Sequence, residues 1–268
     1  MMIASLIALT LAAAPACTPL KDADTLWASS ATRWVFLGEM HGTNEMPDAF
    51  TNLVCLAAEK RGPITVVIEW PVETQSLIDA WLASDGGKHA KAALLSAPEW
   101  RYKDQPGLTS VAFLRMFERL RVLHEAGKVS ALKAFDKAAD GSDTRDRNAV
   151  MAERLETIAR ESKGLTLILV GNVHASRTPL QMGPNEIVRP AAFLLPDAQR
   201  ISIGVTSPGG TAWGCRRDGC RVYDDGSGPP HAPSLTWQRQ TDRRFDVTYD
   251  LGAPVSAAVP AISTKPAR

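Results

Sequence analysis

Ionisable side chains stand where apolar runs break off. Glu39 and His41 follow Trp34-Val-Phe-Leu37, Glu69 follows Ile64-Thr-Val-Val-Ile68, and His174 follows Leu165-Thr-Leu-Ile-Leu-Val170. Arg145 opens an amphipathic run that should cover a sheet. Two carboxylates and two imidazoles in one pocket would have the chemistry to activate water. Carboxylates cannot share a desolvated site without compensation from a metal ion, an arginine or a proton held at raised pKa. His41 and His174 offer imidazole either as a ligand or as a general base. The favoured reading lets Glu39, His41 and His174 hold a water, with a divalent metal as one option. Glu69 is then the general base and Arg145 steadies negative charge. The opposite polarity, with His41 as base and no metal, stays open. Gly38 and Gly171 each precede a histidine by three residues, giving two GxxH elements. A glycine there allows close backbone approach at a strand end.

These side chains need a scaffold that brings distant strand ends together. Trp34–Leu37, Ile64–Glu69, Ser130–Asp136 and Leu165–Gly171 read as buried strands, and helical patterns fill 49–60, 73–83, 109–127 and 145–162. Strand–helix–strand units give an α/β fold with a mainly parallel central sheet and flanking helices. Ligands then sit outside the carboxyl ends of the strands. Residues 84–108, with Gly86-Gly87, Pro98 and Pro106-Gly107, read as a long loop above the sheet. Beyond Ser176, short strand-like runs rich in Gly and Pro suggest an antiparallel, loop-rich C-terminal extension. The partition expected is a leader over 1–16, a linker over 17–33, the α/β domain over 34–206, its hairpin extension over 207–253 and a flexible tail over 254–268.

Composition narrows the function classes. Of 268 residues, 45% are hydrophobic, enough for a full core. Thirty Lys and Arg balance 29 acids, so no charge argument favours nucleic acid. Residues 1–16 are uncharged and suit a secretory leader ending at Ala14-Pro-Ala16. Export to the periplasm or to an outer-membrane-associated state follows, and Cys17 next to that site also admits a lipid anchor. Four cysteines suit disulfides in an exported chain, Cys215 with Cys220 across an Asp-Gly turn and Cys17 with Cys55 as the remaining pair. No GxSxG, GxGxxG, Walker A or HExxH element occurs. His124 shares a helix face with Phe113, Phe117 and Leu120, which suits a satisfied histidine rather than a ligand.

Four motifs in order carry a family resemblance: Phe36-Leu-Gly-Glu-Met-His-Gly-Thr-Asn-Glu45, Val67-Ile-Glu69, Arg145-Asp-Arg-Asn-Ala-Val-Met-Ala-Glu153 and Val170-Gly-Asn-Val-His-Ala175. Over residues 34–177 the chain resembles the superfamily of erythromycin-esterase-like, ChaN-like haem-binding and Tiki (TraB-type) proteins. The Gly38-to-His41 spacing and the leader bring it nearest the ChaN-like branch. The resemblance implies hydrolysis of an ester or amide bond in a small-molecule or peptide substrate, metal-dependent in Tiki-type members through residues such as His41, His174 and Glu39. The alternative it implies is haem or iron-uptake binding without catalysis, with Tyr102 as the tyrosine to test as a haem ligand.

Overall fold

The computed structural model describes residues 16–102, 107–162, 164–216, 219–238 and 243–262. Residues 1–15 of the expected leader lie outside them. In chain order the elements are β1 (Trp34–Glu39), α1 (Glu45–Arg61), β2 (Ile64–Pro71), α2 (Gln75–Leu82), α3 (Lys88–Leu94), α4 (Val111–Glu125), β3 (Val129–Asp136), α5 (Arg147–Glu161) and β4 (Thr166–Gly171). A small hairpin follows, β5 (Leu180–Gly183) with β6 (Glu186–Val188), then α6 (Ala191–Leu194) and β7 (Arg200–Thr206). The chain continues through a second hairpin, β8 (Gly209–Arg216) with β9 (Gly219–Ser227), to β10 (Ser234–Trp237) and β11 (Val247–Asp250).

Seven strands form one sheet in the order β10-β11-β7-β1-β4-β2-β3, and only β10 runs antiparallel to its neighbour. Side chains alternate between the two faces of a strand. Val35, Leu37, Val66, Ile68, Leu167 and Leu169 therefore meet α1 and α4 through Phe50, Leu53, Phe113 and Phe117. Trp34, Phe36, Val67, Ile168 and Val170 face the other way, onto Met151 and Leu155 of α5 and Ala191 and Ala192 of α6. Both faces are covered, which is why the central strands read as unbroken apolar runs.

The sheet order also fixes the crevice. From β1 the chain moves through α1 toward β2, whereas from β4 it crosses back past α6 to β7. The two connections part above adjacent strands β1 and β4. That divergence opens a cleft at their carboxyl ends.

Several expectations need correction. Residues 17–33 are no linker: Leu26 and Trp27 are buried in a short 3-10 turn, and Cys17 is bonded to Cys55 on α1. The 84–108 stretch is no simple loop either, because it contains α3 and a 3-10 turn at Pro98–Arg101 that sink Leu94 and Trp100 into the core. The antiparallel C-terminal extension is present in the pairs β8–β9 and β10–β11, but of the runs expected in it β7 pairs parallel with β1 and β11 pairs parallel with β7. The long connection after β4 lets the chain return to the amino-terminal edge before starting β7.

Residues 254–262 of the expected tail are docked, while 263–268 lie outside the described residues. Ala258 N–H donates to Gly42 O at 2.8 Å, as does Trp213 N–H at 2.8 Å. Ser256 donates through its N–H and its hydroxyl to Glu45 at 2.8 and 2.6 Å. These contacts tie the loop after β1 to the second hairpin and the C-terminal segment. Gly42 adopts φ +88°, and a Cβ there would lie 1.8 Å from Trp213 O. Only glycine fits.

Candidate functional site

Glu39 ends β1 opposite Gly171, which ends β4, and Glu69 stands near the end of β2 on the far side of β4. The two carboxylates are not on neighbouring strands. Gly171 lies between them, and the missing side chain is the reason they communicate. A Cβ on Gly171 would meet His41 Nε2 at 2.9 Å and Glu69 Oε2 at 3.3 Å. His41 thus folds back over β4 into the space that Gly171 leaves.

His41 Nδ1 donates to Glu39 Oε1 at 2.9 Å, and its Nε2 lies 3.7 Å from Glu69 Oε2. Burial favours the neutral ring, but the charges of Glu39 and Glu69 and the Glu39 hydrogen bond outweigh it. The pKa is pushed up to about 9, so His41 is an imidazolium at neutral pH. Glu69 is 4% exposed. Burial would raise its pKa, yet His41, His174, Arg147 and the Gly171 N–H together hold it below the ordinary value. Glu69 Oε2 accepts from Gly171 N–H at 2.6 Å and Oε1 from Arg147 Nη2 at 2.6 Å. Both oxygens of this carboxylate are engaged.

His174 differs in kind. Its Nδ1 lies 2.6 Å from Asn148 Oδ1, an oxygen that also accepts from Ala191 N–H at 3.0 Å. The Ala191 contact fixes the amide orientation, so Nδ1 carries the proton and donates. The lone pair on Nε2 then accepts from Arg147 Nη1 at 3.1 Å. Burial, aided by the charges of Arg147 and His41, pushes the His174 pKa below 6.5. His174 is a neutral base whose tautomer is set by an asparagine behind it.

Arg147 binds the cluster together. Besides Glu69 and His174 it reaches Asp136 through Nε at 2.8 Å and Nη2 at 2.5 Å. Its position follows from helix capping. Asp146 caps α5, its side chain accepting from Ala149 N–H at 2.8 Å, and Arg147 and Asn148 become the first two helical residues. Both point back to the strand ends.

The structure brings Glu39, His41, Glu69 and His174 into one open crevice of about 430 Å³. It does not bring Arg145. That side chain is more than half exposed and pairs with Asp143 and Glu153 at 2.7 Å each. Starting the helix at residue 145 places its first turn two residues early and selects the wrong arginine. Asp146, directly before the run Val150, Met151, Leu155, was the available signal. Arg147, Asn148 and Asp136 are the site residues the sequence reasoning missed. Glu45 is bound to Ser256 instead, and His124 Nδ1 is satisfied by Val129 O at 2.8 Å, as expected.

The expected metal set is already engaged: Glu39 Oε1 holds His41 Nδ1 and His174 Nε2 faces Arg147, while Glu39 Oε2 is buried without a partner among the described residues. Arg147 supplies the positive charge a cation would bring. Cys17, Cys55 and Glu59 also cluster, but the two sulfurs are bonded to each other and offer no thiolate. The same bond occupies the sulfur that a lipid anchor at Cys17 would need. Tyr102 suits a haem iron poorly. Its hydroxyl donates to Glu99 at 3.4 Å, and burial together with Glu99 and Glu73 raises its pKa against phenolate formation.

No family model and no curated protein matches the chain. Solved structures do. An erythromycin esterase, EreC in its open conformation, superposes with a TM-score of 0.65 at 12% identity, covering 87% of this chain and 93% of that one. A succinoglycan biosynthesis protein gives a TM-score of 0.65 at 11% identity over 90% and 93%. ChaN of Campylobacter jejuni, solved with cofacial heme, reaches 0.42 at 10% identity over 68% and 85%, too loose a likeness to bear on ligand. The chain therefore has the fold of the erythromycin-esterase-like structures.

Proposed function

We propose that this chain hydrolyses ester or amide bonds in the crevice above β1, β4 and β2, by acid–base chemistry shared between two histidines. One observation carries the reading: His41 and His174 flank a single buried carboxylate, His41 between Glu39 and Glu69 and His174 between Asn148 and Arg147, surroundings that shift their pKa values in opposite directions. Environments that push two titratable groups apart mark an acid and a base. Glu69, with its lowered pKa and engaged oxygens, is better suited as the counter-charge between them than as the base expected from sequence.

In this mechanism Arg147 Nη1 turns from His174 Nε2 to the substrate carbonyl oxygen, and the freed Nε2 lone pair takes a proton from water as the water oxygen bonds to the carbonyl carbon. Negative charge collects on the carbonyl oxygen, where Arg147 and the His41 imidazolium face it. The bond to the leaving group then breaks as that group takes a proton from His41, and the proton that His174 took from water restores His41 through solvent, so that the net change is addition of water across the bond. Asn148 holds the His174 tautomer and Glu39 orients His41. The two disulfides support an oxidising compartment and so favour export. Among the described residues no helix is long and apolar enough to cross a membrane.

Purified protein assayed on a panel of aryl esters and anilides tests the proposal. Turnover should follow a bell-shaped pH profile, rising as His174 deprotonates below 6.5 and falling as His41 deprotonates near 9. A rate that climbs through pH 9 would make His41 the base and reverse the assignment. No turnover on any member of the panel would reject the hydrolase reading.

A further inference from the structure

A second pocket of about 200 Å³ adjoins the crevice and shares Glu69, Arg147 and Leu108 with it. Its body is apolar: Trp70, Pro71 and Leu108 line it, and Trp70 packs edge-on against Trp100 with ring centroids 5.1 Å apart. Trp70 Nε1 and Trp100 Nε1 donate to Leu108 O and Leu94 O, so Trp70 is a fixed wall with Trp100 packed behind it. One acid interrupts the apolar lining. Glu99 is 3% exposed, and its Oε2 is buried without a hydrogen-bond partner. The carboxylate is met by its own backbone N–H and by a long contact from the Tyr102 hydroxyl to Oε1 at 3.4 Å. Leaving a buried carboxyl oxygen unpaired is costly. The core has no need of an acid here, since a Gln or Leu would fill similar space.

The wider field has a sign. Among the described residues, Glu69, Asp136 and Glu99 line the pocket together with one cation, Arg147, which is already bound to Glu69 and Asp136. Glu73 adds negative potential from outside; burial first, and then Glu73, raises the Glu99 pKa. A positive donor entering the pocket would relieve each of these penalties at once.

We propose that this pocket is a specificity subsite for an apolar substrate group bearing a protonated amine, which Glu99 receives with Tyr102 beside it. The identification of the ligand as a substrate rests on the hydrolase reading; binding of the amine does not. The aromatic walls take the apolar part and the unpaired Glu99 oxygen takes an N–H. The shared lining then places the rest of the molecule over Arg147 and His174.

The test is calorimetry on the full chain at neutral pH with phenethylamine and, as its neutral counterpart, 2-phenylethanol. The amine should bind about tenfold or more tightly than the alcohol. Glu99→Gln should remove that preference, and Tyr102→Phe should reduce it a few-fold. Should Glu99→Gln fail to fold, the amine-to-alcohol ratio in the unaltered protein and the Tyr102→Phe variant still decide. Equal binding of the two probes, or none, would overturn the subsite. Amine preference without ester turnover would count against the hydrolase reading alone, and turnover without amine preference against the subsite alone.

Discussion

The two edges of the central sheet make an instructive pair. At the amino-terminal edge lies the larger cavity, about 560 Å³, lined by Arg61, Thr65, Ser130, Lys133, Glu161 and their neighbours. At the carboxyl edge the crevice is smaller, about 430 Å³. Size would choose the first. Chemistry chooses the second, because only there are acid, imidazole and guanidinium groups buried together and mutually shifted. At the amino-terminal edge Thr65 and Ser130 satisfy each other at 3.1 Å, and Lys133 meets Asp79 only at 3.9 Å. The topology accounts for the contrast. Connections diverge above β1 and β4, so loops at the carboxyl edge can deliver polar residues without a helix closing over them.

The sharpest way to break this comparison is substitution at both edges. His174→Ala and His41→Ala should each reduce ester turnover by about 10²–10⁴-fold, whereas Lys133→Ala should leave it within about twofold. A loss at Lys133 equal to that at His174 would erase the distinction.

Next in size is the pair of arginines. Arg147→Met leaves Glu69 and Asp136 without their cation, and should lower stability by about 3 kcal/mol and remove most turnover. Arg145→Met should leave stability almost unchanged, as expected for an exposed ion pair. Urea unfolding of the two variants measures this difference; equal losses would mean that Arg145 and Arg147 share the role.

The His41 pair makes a pH-dependent contribution. The folded pKa is raised from 6.5 to about 9, so the ionised ring stabilises the fold fully below pH 6.5. That stabilisation fades between 6.5 and 9 and is gone above about 9. Its size is on the order of 3 kcal/mol. Unfolding curves at pH 6 and pH 9.5 should show the decline in the native chain and lose most of it in His41→Asn.

Among changes within the crevice, the smallest expected effect comes from Gly171→Ala. The added methyl would push against His41 Nε2 and Glu69 Oε2. Turnover should fall by about tenfold to a hundredfold through misplacement, while His41→Ala combined with Gly171→Ala should be little worse than His41→Ala alone.

Much of the carboxyl edge was legible in the sequence. Trp34–Leu37, Ile64–Ile68 and Leu165–Val170 announce buried strands, and the polar residues after them mark one end of a sheet. Glu39, His41, Glu69 and His174 were readable for that reason. Arg147 was not, because Arg145-Asp-Arg offers two arginines and only the cap at Asp146 decides between them. Asn148 and Asp136 act through partners far away in sequence, His174 and Arg147, and neither has a local signature. The C-terminal segment was misread for a similar reason. Val255 and Ala258 carry no periodic signal, and the carbonyl of Gly42 that fastens Ala258 is more than 200 residues distant.

The direct measurement is an NMR titration of the ring nitrogens of His41 and His174 in the same sample. The account predicts an ionised His41 that loses its proton only near pH 9, and a neutral His174, protonated on Nδ1, that takes up a second proton only below pH 6.5. Two histidines titrating together near pH 6.5, or with their states exchanged, would contradict it.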